Sequence, residues 1–105
     1  MGKPDTRRLD RAIAQANRKL AAVRERELWP LDSRERRAVM AAAARGGYRL
    51  HRGESTGRAE TAMDTAWQAA ETRLTAEITA LQSERQRIVT ETAKGKAAKK
   101  SSGWW

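Results

Sequence analysis

The chain has 105 residues and a formal net charge of +9, and twenty of its 41 apolar residues are alanine. Leu, Ile, Val and Phe together number thirteen, about 12% of the chain, below the roughly 20% under which a highly charged sequence struggles to order itself. That composition allows one thin helical domain and excludes a large enzyme pocket.

The absence of cysteine removes disulfides, thiolate metal sites and cysteine nucleophiles. A lone histidine, His51, leaves no paired-imidazole metal spacing and no base for a catalytic triad. The longest apolar run, residues 38–44, is seven residues long, against roughly twenty needed to cross a bilayer. No apolar stretch follows the N-terminus, so no secretory signal is expected and the expected location is cytoplasmic.

A first helix is predicted over residues 5–28. Leu9, Ile13, Ala16, Leu20 and Val23 recur at steps of 4, 3, 4 and 3, one face of a helix in heptad register. Pro4 and Asp5 suit its start, and Pro30 disfavours helical geometry at Trp29, with Trp29 expected to plug the resulting kink. A second helix is predicted over 33–45, opened by Asp32 with Glu35 in a capping box and stopped by Gly46-Gly47. Residues 46–57, with four glycines, read as a loop around Tyr48, Arg49, Leu50, His51 and Arg52. Two short strands there are the weaker alternative, since six residues make a poor sheet.

The third helix is predicted over 58–93, a stretch free of Gly and Pro. Met63, Trp67, Ala70, Leu74, Ile78, Leu81, Arg85 and Ile88 repeat close to 3.6 residues per turn. Gly95 would end it, leaving residues 94–105 as a flexible lysine-rich tail closed by Trp104 and Trp105.

Helix lengths of about 36, 18 and 54 Å, at 1.5 Å per residue, suggest the architecture. The expected fold is all-α: an antiparallel helical hairpin whose broken first arm, two shorter helices, packs on one long helix. Residues 1–93 form the domain, followed by a disordered basic tail. In that register paired residue numbers sum to about 98, and the basic first arm flanks an acidic return arm. A homodimer or larger assembly built on the same stripes is the alternative.

Charge carries the functional expectation. Residues 1–57 are net +7, residues 58–93 net −2, and residues 94–105 hold four lysines and no acid. Sixteen arginines beside twenty alanines fit GC-rich coding, but codon bias does not cluster Lys94, Lys96, Lys99 and Lys100. In composition this segment resembles the Ala/Lys-rich tails of bacterial nucleoid proteins and linker histones, over eight residues and with no family implied. Such lysines can follow a phosphate backbone. Arg45, Tyr48, Arg49 and Arg52 form a second basic cluster in which one aromatic could stack a base. Trp104 and Trp105 are candidates for docking to a partner.

The acids Glu60, Asp64, Glu71, Glu77 and Glu84 wrap around the third helix and suit ion pairing with arginines better than hydrolysis or metal binding. No catalytic residue, cofactor site or metal site is expected. The sequence therefore points to a non-enzymatic protein that holds nucleic acid by its backbone without strong sequence specificity. A helical interaction or assembly subunit, bound to an acidic protein surface, is the second reading. The two separate on one feature: whether the arginines of the first arm are neutralised by the acidic third helix.

Overall fold

The computed structural model describes the backbone of residues 4–102 and the side chains of residues 4–97. Three helices account for most of it: α1 (Arg7–Arg24), α2 (Ser33–His51) and α3 (Gly57–Ser102). No strand occurs among the described residues, including the segment after Gly46.

The helix α1 starts two residues later and ends four residues earlier than its sequence pattern predicts. At its start Thr6 Oγ1 donates to Asp10 Oδ2 at 2.9 Å. Its end is set well before Pro30, at Arg26, whose φ of +59° is left-handed. There Glu27 N donates to Ala22 O and Arg26 N to Val23 O, a Schellman closure normally built on glycine. The Arg26 guanidinium meets Asp64 Oδ1 at 2.6 Å, which favours an otherwise unfavourable backbone state. Trp29 does not plug the break; it is 51% exposed, its indole N–H donating to Glu27 Oε1 at 2.9 Å. Pro30 and Leu31 are the buried residues there.

The capping box of α2 is formed: Glu35 N donates to Asp32 Oδ1 at 2.8 Å, and Asp32 N to Glu35 Oε1 at 3.1 Å. Gly46-Gly47, however, does not stop α2, which continues to His51. A Cβ at Gly46 would stand 3.4 Å from the Ala59 Cβ, so this glycine serves close approach of α2 to α3. The actual stop is Gly53, at φ +72°, with Gly53 N donating to Leu50 O and Glu54 N to Arg49 O. Residues 48–51 are thus the last turn of a helix, and the connector shrinks to residues 52–56.

Nor does α3 end near residue 93. It runs through Gly95, whose surroundings are open, to Ser102. One glycine among alanines and lysines costs about 1 kcal/mol relative to alanine and does not by itself terminate a helix. The expected flexible segment is helical as far as it is described.

Both short helices pack on α3 and not on each other. The core joins Ala16, Leu20 and Val23 of α1, Leu31, Val39 of α2, and Ala66, Trp67, Ala70, Leu74 and Ile78 of α3. Asp10 pairs with Arg85, Arg24 with Glu71 and Arg26 with Asp64, so α1 runs antiparallel to α3. At the α1–α2 break the 2.7 Å pair of Arg73 with buried Glu35, together with an Arg73 hydrogen bond to Pro30 O, ties the start of α2 to the middle of α3. The result is a rod of 83 × 18 × 18 Å.

Candidate polyanion-binding face

The single acid of each short helix is taken up by an arginine of α3. α1 carries six basic residues and one acid, Asp10, which faces Arg85 of α3 at 2.6 Å. α2 carries five arginines and one acid, Glu35, which is buried against Arg73. Arg85 and Thr6 both donate to Asp10 and hold its carboxyl below the usual carboxylate range. Glu35 raises the Arg73 guanidinium above its ordinary value.

α3 neutralises little of the arms in return. Asp64 takes Arg26 and Glu71 takes Arg24. Glu77, Glu84 and Glu91 pair instead with Arg73 and Arg87 of their own helix, and Glu60 accepts from Thr56. Among the described residues Arg8, Arg11, Arg18, Lys19, Arg34, Arg36, Arg37 and Arg45 have no carboxylate within 4.0 Å.

Three of these cations line up on α2. Arg34, Arg37, Ala41, Arg45, Tyr48 and Arg52 step by 3, 4, 4, 3 and 4, and all six are exposed. They therefore share a face turned away from Val39 and Ala42, which are buried. Of the cluster expected near the glycines, Tyr48 is 61% exposed and accepts from Arg52 Nη1 at 3.0 Å. Arg52 also lies 5.8 Å from the Tyr48 ring centroid, within cation–π range. Arg49 and Arg52 share Glu54 at 3.9 and 3.4 Å.

Sequence reasoning missed Arg34 and Arg37 as members of this row. Ending α2 at Arg45 hid the periodicity that joins them to Tyr48 and Arg52; the i, i+3, i+4 spacing was the available signal.

The second expected cluster lies elsewhere. Lys94 and Lys96 are exposed on α3, and Lys99 and Lys100 belong to the same helix, their side chains outside the described residues. At 1.5 Å per residue Lys94 stands about 55 Å along α3 from Gly57, beside which α2 ends. The structure therefore does not bring the two clusters together. Trp104 and Trp105 lie outside the described residues.

The back of α3 is different in kind. Thr61, Thr65, Gln68, Thr72, Thr75, Thr79, Gln82, Gln86 and Thr90 are exposed and step by 3 or 4, with no charge among them. Charge is thus segregated around the rod, cationic on the outward arms and neutral behind. Guanidiniums in a row are suited to bidentate contacts with phosphate oxygens. Among the described residues no three His, Asp or Glu side chains converge as metal ligands, and no helix is long and apolar enough to cross a membrane. No protein-family model, curated protein or solved structure matches the chain.

Proposed function

We propose that this chain is a small basic non-enzymatic protein of the cytoplasm, an antiparallel helical hairpin with a broken first arm. It associates with nucleic acid through backbone phosphates and without strong sequence preference. The observation that carries the reading is the row of exposed guanidiniums on the outward face of α2, of which Arg34, Arg37 and Arg45 have no carboxylate within 4.0 Å. Had α3 neutralised the first arm, these groups would only solvate the surface; instead Arg24 and Arg26 alone are taken up by it. Lys94 and Lys96 add positive charge at the far end of the rod, as a helical extension rather than a loose tether.

The test is the salt dependence of binding to random-sequence nucleic acid. Each neutralised phosphate contributes about −0.9 to the slope of log affinity against log salt on duplex DNA. Changing Arg34, Arg37 and Arg45 together to Gln should flatten that slope by about 3, and removing residues 94–105 should flatten it separately. Absence of salt-sensitive binding at low ionic strength would refute the reading.

One observation favours the second reading, a helical interaction or assembly subunit. Leu50 is 71% exposed beside a shallow apolar hollow lined by Ala42, Gly46, Ala59 and Met63. Exposed apolar surface of this kind suits a protein partner.

A further inference from the structure

We propose that the outward face of α2 takes single-stranded nucleic acid in preference to duplex, with a base stacked on the Tyr48 ring. This rests on the reading of that face as a phosphate-binding surface and adds the class of strand. Two observations carry it.

Tyr48 is an exposed aromatic within the arginine row, at 61% exposure, between Arg45 and Arg52. Its ring is already oriented: Arg52 donates to the hydroxyl at 3.0 Å and lies 5.8 Å from the centroid. An aromatic ring fixed at its edge and open to water loses little freedom when a base stacks on it.

In a duplex the bases are stacked inside and cannot use the Tyr48 ring without unstacking.

The row is also straight and long. From Arg34 to Arg52 it covers about 27 Å at 1.5 Å per residue, whereas a duplex backbone winds through a full turn in roughly 34 Å. A duplex strand curves away from a straight helix face within about half a turn. A single strand can follow it.

The experiment uses the full chain and two fluorescent probes, a thymidine homopolymer of about 20 nucleotides and a random duplex of the same length, titrated at equal ionic strength. The single strand should bind at least about tenfold more tightly. Tyr48→Ala should lose about tenfold on the single strand, the usual scale for one stacked base, and leave duplex affinity and the salt slope unchanged. Tyr48→Phe, which keeps the ring and loses the hydroxyl, should retain single-strand binding. Equal affinity for the two probes, no effect of Tyr48→Ala, or failure of Phe to rescue would each overturn the inference while phosphate binding stands. Loss of salt-sensitive binding to both probes in the unaltered protein would overturn phosphate binding and this inference together.

Discussion

Asp10 is an ion-pair partner with a direction in pH. Its carboxyl is depressed by hydrogen bonds from Arg85 and Thr6, so the folded state holds its proton more weakly than the unfolded chain does. The stabilisation is fully present above the ordinary carboxylate value of 3.8 and is lost as pH falls through the lower folded value. The melting temperature of the native chain should exceed that of Asp10→Asn near neutrality, and the gap should close in strong acid. A constant gap down to about pH 2 would show that the Asp10–Arg85 pair is not what the carboxylate supplies. Glu35 should matter more, because it is buried, closes the capping box and holds Arg73. Glu35→Ala should cost about 2 kcal/mol. Glu84→Ala, at a solvent-screened pair within α3, should cost far less. Urea melts of the two variants rank them.

At the level of the helices, spacing rules and stop rules differ in how much they reveal. The apolar stripes are legible: all eight stripe positions of α3 from Met63 to Ile88 are buried or half-buried, as are the five of α1. The capping box at Asp32 and Glu35 is legible because it is local. Helix ends are not. Glycine permits a left-handed closure without compelling it, and the two closures among the described residues use Gly53 and, against composition, Arg26. Arg26 depends on Asp64, 38 residues away, and Gly46 on Ala59; neither partner is visible from the local sequence. The same blindness cost part of the candidate site, since a helix stopped at Arg45 separates Arg34 and Arg37 from Tyr48. The glycine pair offers a direct check. Gly47 sits in open surroundings within α2, so Gly47→Ala should stabilise by about 0.5–1 kcal/mol. Gly46→Leu should destabilise, because its branches extend beyond a Cβ that already stands 3.4 Å from the Ala59 Cβ. Thermal melts moving in the same direction for both would contradict the close approach of α2 and α3.

The whole molecule is far longer than a globule of its mass. A compact chain of this length has a radius of gyration of about 13 Å, whereas this one has 22.1 Å. Small-angle scattering from the monomer should return a value near 22 Å together with strongly helical circular dichroism. A value near 13 Å would mean that the long helix folds back on itself.

A rod 18 Å thick has a second consequence. Every backbone amide lies within about one side-chain layer of solvent, and one buried cluster draws on all three helices, its α3 members running from Ala66 to Ile78. Hydrogen–deuterium exchange should therefore be graded along the molecule, slowest in α3 between about residues 66 and 78 and progressively faster toward both ends. The outer turns of α2, which carry Tyr48, should open and close many times for each global unfolding event. The surface proposed to meet a nucleic-acid strand would then be among the more yielding parts of the protein, fastened to its firmest part by Glu35 and Arg73.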